Sequence, residues 1–232
     1  MRKRFKMFMR AYIGGNYSLY GLYARLKGKR HLLVKHATDI VIEGTPRSAN
    51  SFSFQAFRKA QKGKIRIAHH LHVSCQISQA VKWQLPVILL IRHPVDSIAS
   101  WVVRHPDLDP ETCMFYYYKY YDSLKDYKEK VVIAPFETVI SDFGKVIEAV
   151  NEKYSKSFDV FHHTKEAQDA IFQERHQANE RMGRSKLATP APSQIKDQFK
   201  KEIVPHIKEL HITRKAIELY HSFILCSQLE KK

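Results

Sequence analysis

The chain has no apolar run long enough to cross a membrane as a helix, which takes about 20 residues, and its N-terminus lacks the uninterrupted apolar core of a secretory signal. It has only three cysteines, Cys75, Cys113 and Cys226; they cannot all pair and show no metal-ligand spacing, so a reducing, cytoplasmic setting is expected. There is no internal repeat and no low-complexity tract. Acid is scarce: 23 Asp and Glu stand against 39 Lys and Arg, a net charge of +16. That excess implies an anionic partner. A hydrophobic content of 44% and an aromatic content of 12% exclude a disordered chain, and 232 residues suit one domain with a core that needs no disulfides.

The charge is uneven. Ten Lys and Arg precede the first acid, Asp39. Residues 1–36 interleave them with Phe5, Met7, Phe8, Tyr12, Tyr17, Leu19, Tyr20, Leu22, Tyr23 and Leu26. Such a segment suits an anionic membrane surface or nucleic acid, or else a solvated basic helix packed on the domain by its apolar side. Gly14-Gly15-Asn16 argues against one long helix. From residue 37 to 232 short apolar runs alternate with helical periodicity. Strands are expected at Asp39–Glu43, Ile65–Ala68, Val87–Ile91 and Val131–Pro135. Helices are expected at Ser51–Gln61, Gln76–Lys82, Val95–Val103, Glu111–Lys128, Ser141–Tyr154, Lys165–His176, Ser193–Ile203 and Ile207–Leu225. Continuous apolar strands such as Val87–Ile91 mark a parallel sheet covered on both faces, hence a three-layer, doubly wound α/β fold with a helical C-terminal part. The stretch from Arg181 to Gln194 reads as a basic, Pro-containing loop.

The first strand ends in Gly44-Thr45-Pro46-Arg47-Ser48-Ala49-Asn50-Ser51-Phe52. A strand, a tight turn and a helix start make an anion cradle, because the first helical N–H groups lack internal partners. The spacing is that of a phosphate-binding loop, but Ala49 and Asn50 stand where Gly-Lys belongs, and the cation comes earlier, at Arg47. The third strand ends in Arg92-His93-Pro94-Val95-Asp96-Ser97-Ile98-Ala99-Ser100, with one guanidinium and one hydroxyl suited to a second phosphate. Between them lies His69-His70-Leu71-His72, expected at the same sheet edge, where a neutral imidazole can take a proton near pH 7. Core, surface or metal-bound histidines are the alternatives; without a nearby carboxylate or cysteine in sequence, no metal is expected.

These motifs resemble those of the PAPS-dependent sulfotransferases. That family's first signature, Pro-Lys/Arg-Ser-Gly-Thr-Thr-aromatic, reads here Pro46-Arg47-Ser48-Ala49-Asn50-Ser51-Phe52. Its second, Arg-Asn/Asp/His-Pro-x-Asp-x-x-x-Ser, reads Arg92 through Ser100, and Ile133-Ala134-Pro135-Phe136-Glu137 is similar to its strand ending in Tyr/Phe-Glu. The resemblance spans roughly residues 38 to 155. It implies 3′-phosphoadenosine 5′-phosphosulfate (PAPS) as co-substrate, no metal, and in-line sulfuryl transfer to a hydroxyl or amine. Arg47, Ser48, Ala49, Asn50 and Ser51 would hold the 5′-phosphate end, and Arg47 the transferring group. Phe52, with Phe136, would stack on adenine; Arg92 and Ser100 would grip the 3′-phosphate; His70 would be the base. The family's lysine beside that histidine is Ala68 here, and His69 or His72 could share the role. Arg181 and Arg184 echo the family's C-terminal Arg-Lys-Gly contact. Two other readings fit parts of the chain: a P-loop kinase, and a non-catalytic basic binder of nucleic acid or anionic membrane. The acceptor is open among small molecules, glycans and lipid-linked groups, with peripheral membrane contact through the N-terminus and no nucleic acid expected. Tyr116-Tyr117-Tyr118 and Tyr120-Tyr121 offer aromatic surface for stacking, or else helix packing.

Overall fold

A computed structural model describes residues 7, 10–183 and 194–229. Four parallel strands form the sheet: β1 (Ile40–Gly44), β2 (Ile67–His69), β3 (Val87–Ile91) and β4 (Val132–Pro135), in the spatial order β2-β1-β3-β4. The register sets Ile42 opposite His69 and Ile88, and Gly44 opposite Leu90. β1, β3 and β4 are buried along their whole length, as the apolar runs of β3 and β4 require, and β1 buries Glu43 among its apolar residues.

Alternation within each strand sorts the core into two halves. Val41, Val87, Leu89, Ile91 and Ile133 face one side. There they meet α3 (Cys75–Lys82), α4 (Pro94–Arg104), α5 (Pro110–Asp122), α9 (Gln194–Glu209) and α10 (Thr213–Ile224). Ile40, Ile42, Ile88, Leu90, Val132 and Ala134 face the other. They pack on α2 (Asn50–Ala60), α7 (Phe143–Tyr154) and α8 (Lys165–Arg181). The short α6 (Phe136–Ser141) adds Val139 to this second half. Helices thus flank a parallel sheet on both faces, the architecture expected from the strand pattern.

Helix α1 (Tyr17–Leu26) begins after Gly14-Gly15-Asn16, where the Asn16 side chain accepts from the Leu19 N–H at 3.0 Å. It lies against α3: the Tyr17 ring meets Trp83, just past the end of that helix, edge to face at 5.5 Å, and at the helix start Cys75 N donates to Gly14 O at 2.8 Å.

Several boundaries differ from expectation: α8 runs on to Arg181 rather than His176, β2 is Ile67–His69 rather than Ile65–Ala68, and three others differ for a local reason. The helix expected over Glu111–Lys128 stops at Asp122, and Lys125–Lys130 forms a 3-10 turn with no buried residue. Its charges leave too little apolar stripe to continue an α-helix against the core. The helix expected over Ser141–Tyr154 starts at Phe143, because the Asp142 carboxylate accepts from Lys145 N and caps α7, and the separate α6 before it was not expected. Helix α9 runs through the exposed Pro205 to Glu209, so the break falls at Leu210–Ile212 instead. A proline on the solvent side gives up one hydrogen bond that water replaces.

Gly44 is where the site and the fold meet. A Cβ there would lie 2.3 Å from the carbonyl oxygen of Leu90 on the neighbouring strand. Gly44→Ala must push β1 and β3 apart, and should lower stability by about 1–3 kcal/mol or more. The check is the midpoint and extrapolated free energy of urea unfolding.

Candidate active site

β1 and β3 are neighbours, yet their chains leave the sheet towards opposite faces. β1 turns into α2 on one side, and β3 turns into α4 on the other. The divergence opens a crevice at the strands' carboxyl ends, where open α/β sheets bind ligands. Arg47 enters it from the first loop and Arg92 from the second.

The two loops are joined to each other. Arg92 Nη1 donates to the carbonyl of Arg47 at 3.2 Å, and Ser97 Oγ donates to the carbonyl of Pro46 at 3.0 Å. Arg47 Nε donates to Ser100 Oγ at 2.9 Å. The sequence pairs Ser100 with Arg92; the structure sets it on Arg47, because two turns of α4 carry the hydroxyl over the first loop rather than back to the strand end.

Backbone strain concentrates here. Arg47 and Ala49 have φ of 74° and 63°, and His70 and His72 have φ of 60° and 55°. Left-handed conformations of residues other than glycine cost about 1–3 kcal/mol each. In the first loop they turn the start of α2 towards the crevice, and Ala49 at its N-cap supplies no side-chain bond to the first-turn N–H groups. Ser48 is buried with its hydroxyl 3.1 Å from Thr45 Oγ1. Asn50 Nδ2 donates to Thr45 O at 2.8 Å, while Asn50 Oδ1 is buried without a protein partner.

Positive charge gathers around Arg47. No carboxylate among the described residues pairs with Arg47, and its proton affinity is drawn down to about 9 by burial and by the charges of Arg104, Arg92 and Arg175. It still carries its proton at neutral pH. Burial also lowers Arg92, against the opposing pull of Asp96 and Glu137. The Arg92 guanidinium lies 3.9 Å from the centre of the Phe136 ring, and its Nε is buried with no partner. Arg104 and Arg175 carry no motif that marks them in the sequence. They are found only because α4 and α8 bring them alongside Arg47.

The histidines take separate places. His72 Nδ1 donates to Gly44 O at 2.8 Å. His69 stacks on Phe54 with ring centres 3.9 Å apart, and its Nδ1 lies 2.5 Å from Nδ1 of His70. His70 reaches the first turn of α2, its Nε2 being 2.9 Å from Ser51 Oγ. Burial, together with the charge of Arg175, holds His70 down to about 4, so its imidazole is neutral at pH 7. Burial and His70 hold His69 to about 3.

This turn is fixed from beneath by Glu43, fully buried on β1, whose carboxylate accepts from Leu71 N at 2.7 Å and His72 N at 3.0 Å. Desolvation pushes that carboxyl up to about 7. Three tyrosines of α5 hold the remaining ends. Tyr117 OH donates to Arg92 O at 2.7 Å, Tyr121 OH to Leu90 O at 2.8 Å, and Tyr116 OH to His72 O. All three are buried, as is Tyr120, which makes these four tyrosines packing residues rather than exposed stacking surface, while Tyr118 is partly exposed.

Two expected contacts are relocated. Phe52 is 5% exposed, enclosed by Phe143, Phe161, His163 and Phe172, and has no open face for a base. It sits two positions into α2, and the helix turns that position into the core. Arg181 is exposed at the end of α8; on that helix it is Arg175 whose charge acts on Arg47 and His70. Arg184 lies outside the described residues.

No protein-family model matches the chain, and no curated protein matches it. Among solved structures it is similar to mouse sulfotransferase SULT7A1 complexed with PAP, at 12% identity over 84% of this chain and 92% of that one, with a TM-score of 0.43. A likeness of that strength carries no functional argument, and the geometry of the crevice has to carry its own.

Glu43→Ala would strand two buried N–H groups, at about 1–3 kcal/mol each, measurable by urea unfolding. The sign of its pH dependence is also fixed. A carboxyl whose folded pKa is raised contributes fully below its unfolded value and loses that contribution as pH rises through about 7. Wild-type stability should therefore decline across that window, and Glu43→Gln should lack that component of the slope.

Proposed function

We propose that the crevice binds PAPS and that the protein transfers its sulfuryl group to an acceptor hydroxyl or amine. The observation that carries this reading is the pair Arg47 and Arg92, interlocked across the β1–β3 crevice with no carboxylate partner among the described residues. Inward-facing guanidinium groups left without anions fit a ligand that brings its own. The unpartnered Arg92 Nε and Asn50 Oδ1 fit it too, the one seeking an acceptor and the other a donor.

On this reading Arg47, Ser48, Ala49, Asn50 and Ser51 hold the 5′-phosphate end, through the Arg47 side chain and the open N–H groups of α2. Arg92 holds the 3′-phosphate, its plane already fixed against Phe136. Ser100 keeps Arg47 in place through Nε and leaves the rest of the guanidinium to the ligand. The bound nucleotide supplies an activated sulfuryl group with a stable phosphate as its leaving side. The protein supplies position and charge, by analogy with phosphoryl transfer.

His70 takes the acceptor's proton at Nε2, the atom that faces Ser51. Its neutral state makes that nitrogen available at pH 7, but a group held near 4 is a weak base. Arg175 is part of the cause. A polyanion beside the arginines offsets that charge, so the base strengthens when the nucleotide is in place.

Binding is tested by thermal shift without Mg²⁺. 3′,5′-Bisphosphoadenosine at about 100 times its Kd should stabilise the protein by about 2.7 kcal/mol, and more than Mg-ATP does. Arg92→Ala removes a charge-assisted contact of about 1.5–3 kcal/mol and should weaken that affinity at least about tenfold. No stabilisation, or equal affinity in the variant, removes the proposal.

The catalytic assignment is tested by kinetics. His70→Ala should lower turnover by about 10²–10⁴-fold with nucleotide affinity kept. In the wild type, kcat/KM should hold level from pH 8 into the weakly acidic range and fall as His70 protonates near about 4. The limb for kcat should lie at higher pH, since it reports the loaded site. A kcat/KM limb at an ordinary histidine value, unchanged in His70→Ala, would move the base elsewhere.

A further inference from the structure

Helix α1 has two apolar faces, and the fold uses one. Tyr20, Gly21 and Ala24 are buried, packing with Leu33, Leu71, Val73 and Cys75. Leu19, Leu22 and Leu26 follow one another at helical spacing on the opposite face and are 55%, 59% and 78% exposed. Around this ridge Arg25, Lys27, Arg30 and Lys35 are exposed, and no acid precedes Asp39 in the sequence. Among the described residues none of the four is in an ion pair.

We propose that this face seats the protein on an anionic membrane surface, with the three leucines in the acyl–headgroup boundary and the basic residues on the lipid phosphates. An interfacial helix needs both features at once, an aliphatic stripe and a basic border, and α1 with the turn after it has both. Nucleic acid would use the charge, but leucines lack the flat faces on which unpaired bases stack. A second copy would use the leucines, but would bring the same positive border, on a chain of +16, against itself. An anionic bilayer answers both.

The seat is close to the chemistry. The buried face of α1 packs on Leu71 and Val73, directly after His70, and Gly14 O accepts from Cys75 N. The wall of the crevice would then stand about one helix diameter, ~10–12 Å, from the lipid surface. An amphipathic or lipid-linked acceptor fits that distance. This consequence rests on the function proposed above; the docking itself does not.

The test is co-sedimentation of the full chain with vesicles of phosphatidylcholine alone, or with about 30% phosphatidylglycerol, a stand-in for anionic leaflet lipid. Binding is expected only to the anionic vesicles, falling as salt shortens the Debye length. Leu19→Ser/Leu22→Ser/Leu26→Ser should lower partitioning at least about tenfold, and Arg25→Gln/Lys27→Gln/Arg30→Gln by about as much. All six side chains are exposed and outside the crevice, so both variants should keep the wild-type melting temperature and its shift with 3′,5′-bisphosphoadenosine. A loss of that shift in the wild type, with vesicle binding intact, would count against the nucleotide site alone. The docking is overturned by no sedimentation with anionic vesicles, or by a leucine variant that sediments like the wild type. It is equally overturned if single-stranded RNA displaces the protein from vesicles while binding the leucine variant unchanged, or if ultracentrifugation shows a dimer that the leucine variant dissolves.

Discussion

The inward-turned charge of Arg47, which no carboxylate among the described residues pairs, is the constraint from which the rest of the crevice can be understood. Arg47 gives up much of its hydration and receives in return one hydroxyl, Ser100 Oγ, and the repulsion of three other arginines. Ordinary folding pressure would pair such a group or turn it outward. It is held inward because the loop that carries it is bonded to the loop from β3 at two other points, Arg92 to Arg47 O and Ser97 to Pro46 O. Relaxing one arginine would unfasten both strand ends.

That fastening needs a rigid base, and the sheet supplies it. Gly44 lets β1 approach Leu90 more closely than any side chain would allow. Tyr117 and Tyr121, one turn apart on α5, then tie the end of β3, while Glu43 ties the histidine turn. Glu43, Tyr117 and Tyr121 are bonded, whereas Arg92 Nε and Asn50 Oδ1 are buried at the strand ends without a protein partner, as are Arg10 Nε and Tyr120 OH elsewhere. Unmet polar atoms among strained residues are what a site prepared for a ligand would leave.

Much of this is legible in the sequence. β3 was bounded to the residue because Val87–Ile91 is an apolar run closed by Pro86 and Arg92. The sheet edge that gathers Arg47, His70 and Arg92 followed from three strands each ending in a polar motif. Other features were hidden. Phe52 reads as an aromatic at a loop, and only the winding of α2 turns it into the core. Asp142 reads as one more polar position in a continuous helix until its carboxylate is seen capping α7. Glu43 reads as the polar end of an apolar strand, and its part in shaping the histidine turn depends on residues 28 and 29 positions away.

The sequence by itself determined the alternation of strands and helices, the parallel sheet, the polar motifs at the strand ends and the basic front of the chain. These are patterns of neighbouring residues, and period and local charge record them. The tertiary structure alone decided that Ser100 serves Arg47 rather than Arg92, that the charges of Arg104 and Arg175 act on Arg47, and that His70 meets Ser51. Each of those is a distance between segments far apart in the chain. The physical reason is that crossing helices set such distances, and a crossing angle leaves no mark in the order of residues.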